Sequence, residues 1–469
     1  MAADTQKAKV VIIGAGPGGY VAAIRAAQLG SGVVLIEKSL LGGTCLNWGC
    51  IPTKALLACA EAMETIREAG DYGIKVGDPV PDLKAMVERK EKISEQLRNG
   101  IGQLLKANKV EVVKGTARLT SPNQVAVETE GGSKTIETEK VIIATGSEPA
   151  RLPTFDFDKP AILTSTEGLE LTEIPKAMII VGSGVVGSEF ATIYNALGTK
   201  VTMVELMARI LPTEDERISQ QMKRILNKKG IEILTETTID EMVEYRPDGV
   251  KAKLSNGEIL EADKLLVSIG RSLNSANLGL EEAGVELGKR GEIVVDEHME
   301  TNVPGVYAIG DVVGGILLAH VASFEGICAA ENAMGMESAM NYNVVPACIF
   351  TEPEIASVGL TPAKAEEKGI EIKVGRFMFG GLGKALAMGK GQGFIQLVVD
   401  APTDKIIGCQ IMSAHASDLI HELALAIQVG VTARDIGKTV HAHPSLAEAV
   451  MEAAEAVHDQ AIHAAPARK

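Results

Sequence analysis

Hydrophobic and polar positions over the first 40 residues alternate in blocks that suit a strand, a helix and a second strand. An apolar run from Val10 to Ile13 predicts a buried strand. A stretch rich in small residues follows and predicts a helix that ends near Gly30. A second apolar run then ends at Glu37. This order predicts a βαβ unit on a parallel sheet.

The same pattern returns at residue 177. An apolar strand from Ala177 to Val181 leads into a small-residue helix, and a second strand ends at Glu205. In both copies the acid that ends the second strand follows the first glycine of the turn by 23 positions. An internal repeat in this register predicts either two dinucleotide sites or two halves of a duplicated fold.

Each unit has a G-x-G-x-x-G turn between its first strand and its helix. The glycines are Gly14, Gly16 and Gly19 in the first unit, and Gly182, Gly184 and Gly187 in the second. Such glycines make a tight turn, let the backbone approach a pyrophosphate, and let helix and strand pack closely. The helix N-terminus then faces the phosphates, and the acid accepts hydrogen bonds from a ribose.

The second acid also bears on the choice of nicotinamide cofactor. Glu205 would repel a 2′-phosphate, and the next three residues, Leu206 to Ala208, provide no arginine to bind one. This favours NAD over NADP. Arg209 lies close enough to leave NADP open.

The remaining pattern predicts the domain boundaries. Residues 60–110 predict one long amphipathic helix with a solvated face between Glu88 and Lys106. Pro149 and Pro153 mark a boundary, and from residue 344 the pattern changes to mixed strands followed by helices over 417–429 and 446–458. The predicted fold class is α/β, with Rossmann-like three-layer units over 1–148 (continued over 273–345) and 149–272, and an α+β interface domain over 346–469.

Two cysteines five positions apart follow the first unit. Cys45 and Cys50 precede a predicted helix, with Pro52 in its first turn and Lys54 nearby. A helix N-terminus and a cation both favour the thiolate, so a thiol pair here, beside a bound cofactor, suits a redox role. The alternatives are two small buried residues or a zinc site, although no second Cys/His cluster supplies further ligands.

A histidine and a glutamate near the C-terminus form a candidate acid–base pair. Pro444 is predicted to open a helix, which fixes His443 at its start and puts Glu448 about one turn inside. A histidine oriented by a carboxylate suits a general base near neutral pH. An ordinary helix-end histidine, or a partial metal site that includes His441, remains open.

Composition narrows the functional class. A chain of 469 residues suits roughly two to four domains, and its net charge of −15 argues against binding nucleic acid or an anionic membrane. No apolar run reaches the roughly 18 residues of a membrane span, and residues 1–10 show no targeting signal. The other four cysteines are scattered, which favours a reducing cytoplasm over a secreted disulfide framework.

From Val10 to about Glu455, the chain resembles the flavin-dependent pyridine nucleotide–disulfide oxidoreductases. The resemblance rests on the run from Gly42 to Lys54, both glycine units, Ala144-Thr145-Gly146, Gly310-Asp311 and His443-Pro444. The resemblance implies FAD in the first unit and NAD in the second, with no metal. The residues implied at the FAD site are Gly14, Gly16, Gly19, Glu37, Lys54, Gly115, Thr145, Gly146, Asp311, Leu318, Ala319 and His320. Those implied at the NAD site are Gly182, Gly184, Gly187, Glu189, Glu205 and Gly270. The resemblance also implies an ion pair of Lys54 with Glu189 beside the flavin.

Within that family the chain is most similar to members that oxidise protein-bound dihydrolipoamide with NAD+ in 2-oxo acid dehydrogenase or glycine cleavage complexes. The resemblance implies a homodimer in which His443, held by Glu448, serves the Cys45–Cys50 disulfide of the other subunit. It also implies docking to the lipoyl domains and peripheral-subunit-binding region of an E2 acyltransferase, or to a lipoylated H protein. Trp48 and the loop over 380–390 depart from the family pattern.

Three other functions remain as alternatives. A glutathione-type reductase needs only a different substrate pocket. A flavin transhydrogenase or NADH oxidase does not need both cysteines. A non-catalytic assembly subunit could bind flavin for stability alone.

Overall fold

The computed structural model describes residues 5–246 and 248–465, so the first four residues of the segment inspected for a targeting signal lie outside it. The elements of the first unit are β1 (Thr5–Ile13), α1 (Pro17–Gln28), β2 (Val33–Glu37), α2 (Gly43–Asn47), α3 (Cys50–Arg67), α4 (Leu83–Ala107), β3 (Glu111–Lys114), β4 (Thr116–Ser121), β5 (Gln124–Thr129) and β6 (Gly132–Ile143).

One sheet organises this unit, in the order β3-β2-β1-β6-β5-β4. Strands β3, β2, β1 and β6 are parallel, and β4 and β5 continue the sheet as an antiparallel extension. A later strand, β17 (Val306–Ala308), returns to pair in parallel with β6. The chain after residue 300 therefore completes the sheet that its first 150 residues begin.

The second unit repeats the parallel arrangement. Its elements, after a short strand β7 (Ser147–Pro149), are β8 (Ile162–Leu163), α5 (Ser165–Gly168), β9 (Ala177–Val181), α6 (Val185–Ala196), β10 (Lys200–Val204), α7 (Glu216–Lys228), β11 (Glu232–Leu234), β12 (Ile239–Arg246), β13 (Gly249–Leu254), β14 (Ile259–Ala262), β15 (Lys264–Val267) and β16 (Arg271–Leu273). A parallel sheet runs in the order β11-β10-β9-β15-β8, and β12 to β14 form a separate antiparallel sheet.

Strands β7 and β16 pair antiparallel where the chain leaves the first unit and returns to it. The buried cores of the units are also continuous. Leu56, Leu57 and Met63 of α3 share one apolar cluster with Phe190 and Tyr194 of α6. The helix that begins at Cys50 is thereby held against the second unit.

The C-terminal region is α+β. After α8 (Ala319–Ala333), its elements are β18 (Ala347–Ile349), β19 (Glu354–Gly359), α9 (Pro362–Glu367), β20 (Ile372–Met378), α10 (Gly383–Ala387), β21 (Phe394–Asp400), β22 (Ile406–Ser413), α11 (Ala416–Val429), α12 (Ala433–Lys438) and α13 (Glu448–Ala456). An antiparallel sheet in the order β18-β19-β22-β21-β20 packs helices α11 and α13 on one face. Phe394 and Met412 join the core of the second unit.

Two local predictions are wrong. The single helix over 60–110 is two helices, because Gly73 takes a left-handed conformation (φ +75°) and a segment with Pro79 and Pro81 separates α3 from α4. Pro444 does not open a helix either. The last helix begins at Glu448, and residues 443–447 form an irregular approach to it.

Candidate redox site

The two cysteines lie on successive short helical segments. Cys45 is inside α2, and Cys50 is the first residue of α3. The Cys45 thiol donates a hydrogen bond to the sulfur of Cys50, and this lowers the pKa of Cys50 to about 7, with Lys54 acting in the same direction. The same bond raises the pKa of Cys45. Thus when both sulfurs are reduced, the negative charge resides on Cys50.

Lys54 lies one turn after Cys50 and forms an ion pair with a buried carboxylate. Its ammonium is 2.9 and 3.0 Å from the two carboxylate oxygens of Glu189 in α6. The ammonium also lies 4.4 Å from the centre of the Phe350 ring, while the Phe350 N–H donates to Glu189 at 3.0 Å. Three segments far apart in sequence therefore fix the cation beside the thiols. Glu189 is accordingly a partner of Lys54.

The glycine turns of the two units have the same geometry. A Cβ on Gly14 or on Gly182, both at positive φ, would lie 2.3 or 2.5 Å from the carbonyl oxygen of Ala144 or Ser268. A Cβ on Gly19 or Gly187 would lie 1.8 or 2.0 Å from the oxygen of the first glycine of its own turn. Only glycine permits this approach of strand and helix.

The helix starts after these turns can bind anions. Gly16 and Gly184 are the N-cap residues of α1 and α6, and neither provides a side chain to accept a hydrogen bond from the first backbone N–H groups. Such N–H groups and the helix dipole bind phosphate. The residues present therefore fit a pyrophosphate in each unit.

The two acids at the strand ends are also held alike. Glu37 accepts hydrogen bonds from the N–H groups of Ala15 and Ser39, both at 2.7 Å. Glu205 accepts from the N–H groups of Ser183 and Met207, again at 2.7 Å. Each carboxylate thus lies directly beside its own glycine turn, where a ribose attached to the pyrophosphate would be.

The guanidinium of Arg209 is bonded to the protein backbone. It donates to the carbonyl oxygen of Pro212 at 3.1 Å and lines a cleft of about 880 Å³ between the second unit and the C-terminal sheet. This arrangement supports the expectation of NAD over NADP.

Three of the other residues predicted at the FAD site follow the C-terminal ends of β6 and β17. Thr145 donates to the carbonyl oxygen of Asn274 at 2.7 Å, and Gly146 has φ +70°. Asp311 accepts a hydrogen bond from Ser147. Leu318 and Ala319 lie at the start of α8, and the Nε2 of His320 lies 2.8 Å from the Pro346 oxygen. Gly115 follows β3, and its N–H donates to the backbone carbonyl oxygen of Glu37 at 3.0 Å. Gly270, which is predicted at the NAD site, has φ +127°.

Arg271 and Ser147 belong to this cluster and were missed in the sequence. The Arg271 Nε donates to the Ser147 hydroxyl at 2.6 Å and lies 3.4 Å from the Asp311 carboxylate. The strands β7 and β16 bring these residues together across 124 positions. No local spacing signal could have found such a pair.

His443 and Glu448 form the predicted pair. The imidazole Nδ1 lies 2.8 Å from a Glu448 oxygen, and the Ser445 N–H donates to the other oxygen at 2.9 Å. These bonds, the Ser445 one foremost, hold the pKa of Glu448 below its ordinary value. The His443 side chain is 78 % exposed, and no hydrogen bond within the described residues joins it to Cys45 or Cys50.

Two further properties concern metals and membranes. Within residues 5–246 and 248–465, no three histidine, cysteine or acidic side chains come together as ligands for a metal ion. Over the same part of the chain, no helix is long and apolar enough to cross a membrane.

Comparison with known proteins gives two family matches that together span most of the chain. Residues 8–326 match the pyridine nucleotide-disulphide oxidoreductase model, and residues 345–454 match the dimerisation domain of the same group.

Curated relatives match over nearly their full length. Dihydrolipoyl dehydrogenase of Chlamydia muridarum is 45 % identical over 98 % of both chains. The Geobacillus stearothermophilus enzyme of that name is 44 % identical over 97 % of both, and the mitochondrial one of Pisum sativum is 42 % identical over 98 % of this chain and 94 % of its own.

Solved structures agree in fold. LpdA of Mycobacterium tuberculosis superposes with a TM-score of 0.90 at 28 % identity, over 96 % of this chain and 99 % of its own. An HOCl-induced flavoprotein disulfide reductase of Escherichia coli, solved as a Cu(II) complex, superposes at 0.87 and 28 % identity over the same shares.

Proposed function

This chain belongs to the pyridine nucleotide-disulphide oxidoreductase family, and we propose that it oxidises dihydrolipoyl groups to lipoyl groups with NAD+. The predicted α/β fold class and the expected FAD and NAD cofactors are confirmed by this membership. The observation that carries the proposal is the hydrogen-bonded pair of Cys45 and Cys50, which lies beside a fixed cation and next to a glycine turn.

The chain's own residues divide the cofactors between the units. The turn that begins at Gly14, with Glu37, would hold the dinucleotide part of FAD, and the turn that begins at Gly182, with Glu205, would hold NAD. Asp311 and Lys54 are the further residues that would contact FAD. Bound FAD would supply two-electron transfer between the reduced cysteines and NAD+.

Thiol–disulfide exchange accounts for the roles of the two sulfurs. His443 takes a proton from one substrate thiol, and the resulting thiolate attacks Cys45 of the disulfide. Cys50 leaves as a thiolate, because a hydrogen-bond donor, Lys54 and a helix N-terminus all favour its charge. The second substrate thiol then displaces Cys45, which leaves as a thiol, and the substrate closes to its own disulfide.

The exposed position of His443 supports a shared active site. A general base must reach the proton it accepts, and His443 is bonded to Glu448 but faces outwards from its own subunit. The match of residues 345–454 to a dimerisation domain supports a homodimer. In that dimer, His443 of each subunit serves the cysteines of the other, and Glu448 orients it.

The natural dithiol is a lipoyl group carried by another protein. The partners are the lipoyl domains and peripheral-subunit-binding region of an E2 acyltransferase, or a lipoylated H protein, in the cytoplasm. The names of the relatives support this substrate class.

An anaerobic titration tests the proposal. The purified flavoprotein is reduced with dihydrolipoamide, and a long-wavelength thiolate–flavin absorbance is expected before NADH appears on addition of NAD+. Turnover of glutathione disulfide with NADPH, and none of lipoamide with NADH, would assign the chain to the glutathione-type alternative. A flavin that dihydrolipoamide does not reduce would contradict the proposal.

A further inference from the structure

The segment between the two cysteines is held from inside by one buried amide. Asn47, the last residue of α2, is 5 % exposed. Its Nδ2 donates to the carbonyl oxygens of Leu41 at 3.0 Å and Gly43 at 2.9 Å. Both amide hydrogens are therefore used to close the loop that leads into Cys45.

That loop also lies against the first glycine turn. The Gly42 N–H donates to the Ala15 oxygen at 2.8 Å, and a Cβ on Gly43 would lie 2.7 Å from the Cα of Gly16. Gly42 and Gly43 both have positive φ. The path of the chain before Cys45 thus depends on glycine conformations that need an external restraint.

The restraint comes from α4, the helix whose charged stretch was predicted to be only a solvated face. Arg98 is an exception to that prediction, since its side chain is 17 % exposed. Its Nη1 donates to the Asn47 oxygen at 2.9 Å, and its Nη2 donates to Glu91 at 2.6 Å. With this bond Asn47 has a partner for both hydrogens and for its oxygen, so its amide has a single orientation.

We propose that Asn47 and Arg98 are positioning residues that keep the Cys45 sulfur within bonding reach of Cys50 and so set the reduction potential of the pair. A fixed loop raises the effective concentration of one thiol at the other, which stabilises the disulfide relative to the dithiol. A loosened loop lowers that concentration and makes the pair more easily reduced. This inference rests on the proposed function, because it requires a redox-active pair.

The test measures the reduction potential of the Cys45–Cys50 disulfide directly, without relying on turnover. The FAD-bound enzyme is equilibrated anaerobically in dithiothreitol redox buffers, where oxidation of dithiothreitol to its cyclic disulfide supplies two electrons and two protons to the cysteines. The thiols are then trapped by alkylation. Tryptic cleavage after Lys38 and Lys54 releases a peptide of residues 39–54 that contains Cys45 and Cys50 and no other cysteine. The mass of that peptide reports the oxidised fraction.

In Arg98→Met the equilibrium constant for reduction is expected to rise about three- to tenfold, which corresponds to roughly +15 to +30 mV for a two-electron couple. Lys92→Met is the matched control, because Lys92 is an exposed cation on the same helix. Its reduction potential should equal that of the wild type. In an Asn47→Ala background, Arg98→Met should have no additional effect, since the bond it removes is already absent.

The outcomes separate the two claims. A wild-type peptide that never forms the disulfide contradicts the proposed function. If the wild-type peptide forms the disulfide reversibly, but the reduction potential of Arg98→Met equals that of the wild type or shifts only as far as that of Lys92→Met, only the positioning role is overturned. If Asn47→Ala does not fold, the comparison of Arg98→Met with Lys92→Met still tests whether Arg98 sets the reduction potential.

Discussion

Glu189 binds the ammonium of Lys54 with both carboxylate oxygens, at 2.9 and 3.0 Å, and so links the helix of the second glycine turn to the helix that begins at Cys50. The pair is 135 positions apart in sequence. Glu189 is almost fully buried, with 4 % of its side chain exposed, while Lys54 is 30 % exposed. The contact is therefore both a link between the two units and a source of positive charge beside the thiols.

Replacing Lys54 tests both consequences. Lys54→Met leaves a buried carboxylate without its partner, which should lower the free energy of unfolding by about 3 kcal/mol. It also removes a charge that lowers the pKa of Cys50, so the thiolate should form at higher pH. Chemical denaturation measures the first effect, and ultraviolet thiolate absorbance against pH measures the second.

Lys229→Met is the matched control for that experiment. Lys229 also bridges the second unit to α3, with its ammonium 2.8 Å from Glu64, but it lies far along the helix from the cysteines. It should lower stability without moving the thiolate titration. If the pKa of Cys50 rises equally in both variants, the effect comes from a general loss of stability and not from the charge of Lys54.

The hydrogen bond between the thiols gives a second prediction. Cys45→Ala removes the donor that contributes most to the low pKa of Cys50, so that pKa should rise above about 7. The variant should also lose dithiol oxidation, since no disulfide can form. Cys59→Ala, in the same helix as Cys50, should leave both the Cys50 titration and turnover as in the wild type. An unchanged Cys50 titration in Cys45→Ala would contradict the assignment of the donor.

Subunit mixing tests the shared active site. Homodimers of Cys45→Ser and of His443→Gln should each lose at least about a hundredfold in turnover. When the two are unfolded and refolded together, half of the dimers should be mixed, and each mixed dimer of two-fold symmetry has one intact site. Recovery of about a quarter of wild-type turnover is therefore expected. Recovery near zero would mean that His443 serves its own subunit.

Glu448 should make the stability of the protein depend on pH. Its pKa is held below its ordinary value, so it contributes stability above that value and loses the contribution as the pH falls through its lowered pKa. Glu448→Gln should therefore be less stable than the wild type at pH 7, and the difference should disappear in acid. Denaturation midpoints across pH measure this, with the exposed Glu367→Gln as the control.

The acid of the second unit should determine the cofactor preference. Glu205→Gln keeps the side-chain shape but removes the carboxylate that receives three hydrogen bonds and faces the ribose position. The KM for NAD+ should rise about tenfold, because one charge-assisted hydrogen bond to the cofactor is lost. The preference for NAD+ over NADP+ should fall. An unchanged ratio of kcat/KM for the two cofactors would remove Glu205 from this role.

Local sequence patterns were sufficient wherever the chemistry lies on one βαβ unit. The turn at Gly14, its repeat at Gly182 and the acids Glu37 and Glu205 follow from period and spacing, because strand, turn and helix are contiguous. The pair of His443 and Glu448 was also found, although the start of its helix was placed four residues too early. There the proline signal was real, but the chain uses Pro444 in an irregular segment.

Contacts between distant segments could not be found in this way. The bonds of Arg271 to Ser147 and of Arg98 to Asn47 depend on how the segments pack after they fold. The ion pair of Lys54 with Glu189 also joins distant segments, and the family resemblance, not a local pattern, implied it. The interruption of the helix over 60–110 did have a local signal, in Gly73, Pro79 and Pro81. The charge periodicity on both sides of these residues outweighed that signal in the prediction.

The pairing of β7 with β16 has a consequence for how the molecule can be rebuilt. Pro149 and Arg271 are partners on adjacent strands, so the entry and exit of everything between them are about 5 Å apart. A module whose ends lie this close together can be exchanged for a homologous one, in evolution or in the laboratory, without changing the backbone of the rest of the protein. Swapping residues 150–270 is therefore a direct route to transplanting a different coenzyme preference onto an unaltered sulfur chemistry.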